Sequence, residues 1–243
     1  VALEESTELM QRRQAGERFM LSSCCPAFVD LVRQHRPHLA GSLSSLVSPM
    51  VALAHWIKLS SPNAKLVFIG PCIAKKSEAL ESGLVDAVLT FEELAALLVA
   101  AEINVAALED GELENSEASK DGHRFAAAGG LLQAMAGALE GAAEPFVGIN
   151  AQGIPACLEA LDALDKGKSF FDFLEGMACD GGCLGGPGAL VQAKKTKRLL
   201  EVREEKLEIG QSSLNSQAVS ASKALGHILH RQHAASMDDK ATI

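Results

Sequence analysis

The residues best suited to chemistry in this chain are cysteines. Five of the six lie in turns rich in Gly, Pro and Ser: Cys24 and Cys25 in LSSCCPAF (21–28), Cys72 in IGPCIAKKSEA (69–79), and Cys179 and Cys183 in GMACDGGCLGGPG (176–188). Thiolates are soft ligands that suit iron–sulfur clusters or zinc. A cubane cluster takes four of them, from separate loops, beside small residues that let the backbone approach its sulfides. The third turn has that form, because Gly181, Gly182, Gly185 and Gly186 surround its cysteines and offer positive-φ backbone and amide donors. Zinc is the rival occupant, but structural zinc is usually built on CxxC knuckles, whereas Cys179 and Cys183 form CxxxC and the other cysteines lie far upstream. Lys75 and Lys76 follow Cys72 closely; either they are a solvated pair after a turn, or one of them balances an anionic cluster.

The remaining candidates are weaker. Glu5 and Glu8, three apart, share one face of an N-terminal helix. Cys157, in GIPACLEAL, sits on an amphipathic helix and reads as core. His227, His230 and His233 recur at three-residue spacing, but with no acid beside them they read as a solvated tail rather than a metal face. His55 beside Trp56 reads as structural.

These turns need a frame. Helices are predicted over 3–14, 26–35, 48–59, 91–102, 125–140, 155–165 and from 187 to 203, with Pro or Thr at several starts. Short β-rich apolar runs at 65–70, 86–90, 144–149 and 170–175 read as strands. The stretch 107–124 is polar and acidic and reads as a surface connection. Strands alternating with helices predict an α/β fold with mostly parallel sheets and flanking helices, in two lobes around a metal-cluster cleft. Ligands in such folds sit beyond strand C-termini, and Cys72 and Cys179 each closely follow a predicted strand. Residues 1–210 are expected to form the functional domain and 211–243 a peripheral helix or disordered tail.

Bulk properties exclude several classes. With 243 residues and 48% hydrophobic composition, a sizeable core is expected and disulfide staples are unnecessary. The net charge of −9 disfavours nucleic acid or an anionic membrane surface as partner. No run approaches the ~18 apolar residues of a membrane-spanning helix. Turn cysteines fit a reducing compartment, so a cytoplasmic location is expected.

The three cysteine turns, in this order, resemble the three sequence blocks of FeFe hydrogenases, which read approximately TSCCPxW, PCxxKKxE and MACxxGCxxGGG; this chain carries SSCCPAF, PCIAKKSE and MACDGGCLGGPG. EESTEL near the start is similar to the acidic helix before the family's first block, so the resemblance spans roughly residues 4–190. It implies an iron–sulfur oxidoreductase holding an H-cluster, a 4Fe-4S cubane joined through a cysteine to a di-iron subcluster with CO, cyanide and azadithiolate. By position, Cys25, Cys72 and Cys179 would hold the cubane and Cys183 would hold and bridge it. Cys24 would be the proton-passing thiol, Lys75 the partner of an iron-bound cyanide, and Met177 and Phe125 pocket walls. Glu5, Ser44 and Glu8 would form a proton path in the order Glu5–Ser44–Glu8–Cys24. The resemblance further implies ferredoxin or a similar electron carrier, H2 and protons as substrates, and dedicated maturases.

The departures are local. Gly70 stands where well-studied members carry Met, Met50 where they carry Gln, and Pro187 interrupts the glycine run; the wording is similar to clostridial-type or sensory branches. No CxxCxxCxxxCP run is present, and nothing in residues 1–243 corresponds to the family's α/β segment before the acidic helix, so the chain is expected to lack that N-terminal part. Two competing readings are a non-catalytic hydrogenase-like assembly factor and a hydrogen sensor. Retention of Cys24 argues for turnover.

Overall fold

A computed structural model describes residues 1–109, 111, 118–142, 145–168 and 170–230. The chain opens with α1 (Ala2–Gln14), β1 (Met20–Leu21), α2 (Pro26–His35) and α3 (Pro49–Ser60). It continues through β2 (Val67–Ile69), α4 (Ala74–Ser82), β3 (Ala87–Leu89), α5 (Phe91–Ala100), α6 (Lys120–Arg124) and α7 (Gly130–Ala138). Then come β4 (Gly148–Gln152), α8 (Ile154–Asp165), β5 (Phe173–Met177), α9 (Ala193–Glu204) and α10 (Ser216–Leu229). Among the described residues no helix is long and apolar enough to cross a membrane.

The strands form two sheets, one ordered β1-β5-β4 and the other β2-β3, and every ladder is parallel. This is the α/β arrangement of parallel sheets and flanking helices that the alternating pattern predicts. In the first lobe β5 is central and buried at all five positions, so it reads as a continuous apolar run broken only by Glu175 and Gly176. Phe28 of α2 lies across it, and a Cβ on Gly176 would come within 2.4 Å of the Phe28 ring. One core fills the space between this sheet, α2 and α8 and includes Cys157, as its amphipathic helix predicts. A second joins α3 and α4 to Leu225 and Leu229 of α10. A third joins Leu9 of α1 and Leu131 and Met135 of α7 to Phe173, Met177 and Cys24.

Several elements differ from expectation. The first five residues of the predicted 125–140 helix form a turn ahead of α7, because Gly129 takes φ 85° and caps a new helix there. The acidic connection contains the short α6, capped by the Ser119 hydroxyl accepting from Gly122 N–H. The predicted 144–149 strand begins later, at Gly148, with residue 144 outside the described set. The expected 170–175 strand starts at Phe173.

Candidate metal centre

Each cysteine turn leaves the C-terminal end of a parallel strand. Cys24 and Cys25 follow β1, Cys72 follows β2, and Cys179 and Cys183 follow β5, so both sheets point at the same cleft. Short contacts tie the turns together. Ser22 N–H donates to Leu174 O at 2.9 Å and Gly176 N–H to Ser22 Oγ at 3.0 Å, which fixes the first turn against the third. Gly188 N–H donates to Pro71 O at 2.8 Å, which fixes the third against the second. Glycine is required at two places. Gly182 has φ 71°, and a Cβ there would lie 2.5 Å from Ala128 N. A Cβ on Gly185 would lie 1.9 Å from Asp180 O. Both are backbone collisions that cannot be relieved by turning a side chain.

Cys25, Cys72, Cys179 and Cys183 face one another across the cleft. Burial pushes the Cys183 thiol up to about 12; negative charge on Cys25, Cys72 and Cys179 adds to the rise while Lys75 opposes it. Burial likewise raises Cys25 and Cys179, with Cys72 contributing to both. The Ala178 and Phe28 amides donate toward the Cys25 sulfur. Three of these thiols, Cys25, Cys179 and Cys183, are raised by burial and by the charges of neighbouring cysteines, so the site prefers a cationic core over free thiolates. Among the described residues no three His, Cys, Asp or Glu side chains close around a single ion. Four soft thiols drawn from three separate turns suit a polynuclear iron–sulfur cluster with one thiolate per iron, and the CxxxC spacing is not that of a zinc knuckle.

Lys75 reaches this cleft from α4 and is 6% exposed. Its Nζ donates to Glu78 Oε2 at 2.6 Å, and the same oxygen accepts from Ser48 Oγ at 2.8 Å. A buried ammonium needs such a counter-ion, and the i,i+3 spacing on α4 supplies it. Lys76, in contrast, turns outward to Glu93. Met177 is buried at the end of β5, and Phe125 and Cys25 pack on the same core as Met177 and Cys24.

Cys24 is buried, and its thiol is raised well above its ordinary value by burial and then by the charges of Glu5 and Glu175. Glu5 is fully excluded from solvent. Neither of its oxygens has a hydrogen-bond partner among the described residues. Burial pushes its carboxyl up to about 8, with Glu8 adding to the rise and the nearby Ser44 hydroxyl and Ser23 amide offsetting part of it. Glu8 accepts from Ser44 Oγ at 2.8 Å and from the Ser45 amide, and Arg12 Nε and Nη2 bind its Oε1 at 2.9 and 2.8 Å. Burial would raise Glu8, but the Ser45 amide, Ser44 and Arg12 together hold it below the usual carboxylate range.

The spatial order is therefore Cys24, Glu5, Ser44, Glu8, and not the Glu5–Ser44–Glu8–Cys24 order expected from sequence. The first turn of α1 is its buried end, so the earlier carboxylate is the inner one. Met50 packs in the second core. His230 is not a solvated tail residue, since its Nδ1 lies 2.6 Å from Ser45 Oγ; His233 is outside the described residues.

Sequence reasoning missed four supporting groups. Glu175 is fully buried on β5 and accepts from the Gly129 and Leu132 amides, both at 3.0 Å. Burial pushes it up to about 6 against the pull of those amides. The available signal was a lone acid inside an apolar strand. Glu78 and Arg12 were signalled by helical spacing, at i+3 from Lys75 and i+4 from Glu8. Ser48 carried no signal beyond its place as a helix cap.

Comparison with known proteins agrees with this geometry. The profile of the family described as "Iron only hydrogenase large subunit, C-terminal domain" matches residues 1–187. The chain is 31% identical over 232 residues to iron hydrogenase 1 of Clostridium pasteurianum, covering 76% of this chain and 40% of that protein. It is 25% identical over 252 residues to the cytosolic Fe-S cluster assembly factor NAR1 of Eremothecium gossypii, covering 77% and 55%. The chain thus spans about half the length, or less, of these curated relatives. Its fold is similar to apo [FeFe]-hydrogenase HydA1 from Chlamydomonas reinhardtii, variant C377H, with TM-score 0.76 and 21% identity over 95% of this chain and 80% of that one.

Proposed function

The chain belongs to the family of the iron-only hydrogenase large subunit, C-terminal domain, and from that premise we propose that it catalyses the reversible reduction of protons to H2. In this reading Cys25, Cys72, Cys179 and Cys183 would hold a 4Fe-4S cubane, with Cys183 the ligand it would share with a di-iron unit carrying CO, cyanide and azadithiolate. When bound, that cluster supplies the electrons and the site at which protons and H2 interconvert. Lys75, held by Glu78, would offer its ammonium to an iron-bound cyanide, while Met177 and Phe125 would exclude water from the pocket.

The chain's own residues move the proton. Cys24 Sγ holds it nearest the centre, Glu5 receives it next, and the Ser44 hydroxyl passes it to Glu8. A buried carboxyl raised to about 8 suits such exchange, because it can take up and release a proton near neutral pH. Glu8, held ionised by the Ser45 amide, Ser44 and Arg12, is the outer acceptor. Electrons come from ferredoxin or a similar carrier in the cytoplasm, and maturases install the di-iron unit.

The observation that carries this reading is the free thiol of Cys24, buried between the thiol cleft and Glu5. A second reading, a non-catalytic iron–sulfur assembly factor, is favoured by the similarity to NAR1; it gives Cys24 and the relay no task. The test is anaerobic infrared spectroscopy after iron–sulfur reconstitution and addition of a synthetic di-iron azadithiolate complex. Bound CO and cyanide bands that shift under H2, with hydrogen evolution lost in Cys24→Ser at unchanged iron content, are expected. A cubane signal without those bands would favour the assembly-factor reading.

A further inference from the structure

We propose that His230 is the group through which this relay exchanges protons with solvent, passing them by way of Ser45 to Glu8. The proposal rests on the hydrogenase reading of the site. It begins with the surroundings of Glu8. On one side Arg12 donates through Nε and Nη2 to Glu8 Oε1, and its remaining donors go to Glu17 Oε2, Gly41 O and Leu43 O. A guanidinium does not release protons near neutral pH. Arg12 therefore fixes the carboxylate and closes that side to proton transfer. On the inner side Glu8 Oε2 accepts from Ser44 Oγ.

The third side belongs to Ser45. Its amide donates to both Glu8 oxygens, at 3.0 and 3.1 Å, and its hydroxyl lies 2.6 Å from His230 Nδ1. The imidazole is partly exposed, and histidine is the side chain most often used as a proton donor and acceptor. Its place is fixed. Leu225 and Leu229 of α10 are 2% and 3% exposed, Val47 N–H donates to Leu229 O at 2.8 Å, and Leu46 and His230 form a backbone bridge. An anchored helix end thus holds an imidazole at the mouth of the relay.

The proton count balances without electron transfer. An imidazolium donates from Nδ1 to Ser45 Oγ as that hydroxyl gives its own proton to the Glu8 carboxylate. The imidazole is then neutral, Glu8 is protonated, and Ser44 can carry the proton inward. Rotation of Ser45 about χ1, or one bridging water, spans the step from its hydroxyl to Glu8.

The test uses the full chain, loaded and cluster-free. In the loaded protein His230→Ala and His230→Gln are expected to lower hydrogen evolution by roughly a hundredfold, the scale of losing one proton-transfer group. Added imidazole should restore His230→Ala, where it can occupy the vacated space, and should leave His230→Gln unchanged. In cluster-free protein the infrared band of the protonated Glu5 carboxyl, identified by its loss in Glu5→Gln, should exchange with D2O several-fold more slowly in both His230 variants and in Ser45→Ala. Wild-type turnover and exchange in His230→Ala and His230→Gln would overturn the proposal. So would lost turnover that imidazole does not restore with exchange unchanged, since that marks a mere tether for α10. If loaded wild type makes no H2, the hydrogenase reading falls, and the exchange rates alone decide whether His230 is the proton port of Glu8.

Discussion

In the three-stranded lobe β5 is buried along its length, with Phe173 and Leu174 fully excluded from solvent, whereas in the two-stranded lobe Val67 and Ile69 of β2 are 54% and 44% exposed. α8 lays Cys157, Leu161 and Leu164 into its core, while α5 buries no residue at all. The centre draws on both lobes: the first contributes Cys25, Cys179 and Cys183, the second Cys72 and Lys75. The difference shows that two kinds of force position one site. In the first lobe apolar packing around β5 holds the turns. In the second the sheet is too small to hold anything alone. There α4 is fixed by packing onto β3 and α2 and by the buried Ser48–Glu78–Lys75 hydrogen bonds.

The largest expected contrast comes from truncating one strand residue in each lobe. Phe173→Ala should cost about 3–5 kcal/mol through lost burial and a cavity, and should also impair iron uptake, because β5 ends at the Cys179 turn. Val67→Ala, already half in water, should cost under about 1 kcal/mol. Anaerobic urea unfolding of both variants measures this. Equal costs would mean that β2 is covered in solution and that the lobes do not differ as described.

Next in size is Glu78→Ala, expected to cost about 3 kcal/mol because it leaves the Lys75 ammonium buried without a counter-ion. A Lys75→Met, Glu78→Leu double variant should recover most of that stability while still failing to support the loaded centre. If Glu78→Ala unfolds no more easily than wild type, polar contacts are not what position α4.

The same division explains what could be read in advance. The cysteine turns were legible because their chemistry is local: thiols, glycines that must lie against backbone, and lysines sit within a few residues of one another. β1 was not, since Met20 and Leu21 become a strand only by pairing with Phe173 and Leu174 some 150 positions on. Glu78 and Glu175 carry partners from Ser48 and from the Gly129 amide, 30 and 46 positions away. His230 was set aside for want of a neighbouring acid, but its partner is Ser45, 185 positions away. Nor does sequence say which end of α1 faces inward, so it could not show that Glu5 rather than Glu8 lies beside Cys24.

A smaller effect follows from Glu5. A carboxyl raised from 4.5 to about 8 binds a proton in the folded state that the unfolded chain has already released. Its stabilisation is complete below pH 4.5 and is lost progressively as pH rises to about 8. Glu175, raised to about 6, adds loss of the same sign between 4.5 and 6, while Glu8, held low, acts oppositely at acid pH. Glu5→Gln should therefore flatten the decline between pH 5 and 8 and be the more stable protein at pH 8, by on the order of 2 kcal/mol. Urea midpoints across that range check it, and an unchanged slope would move the titration to another group.

The smallest effect tests whether the open lobe answers to the closed one. With no buried residue, α5 depends on its start, where the Thr90 hydroxyl accepts from Glu93 N–H at 3.1 Å and Glu93 Oε2 accepts from Thr90 N–H at 2.8 Å. Losing such a capping box costs about 1 kcal/mol. Thr90 also packs on the third cysteine turn, since a Cβ on Gly188 would come within 2.5 Å of Thr90 Cβ. Thr90→Ala should therefore speed amide exchange in residues 91–100 several-fold and leave β5 protected, with a modest rise at 186–188. Faster exchange confined to α5 would mean that the cap is purely local. Equal acceleration in β5 would mean that the two lobes unfold as one unit, with the cysteine turns as the joint between them.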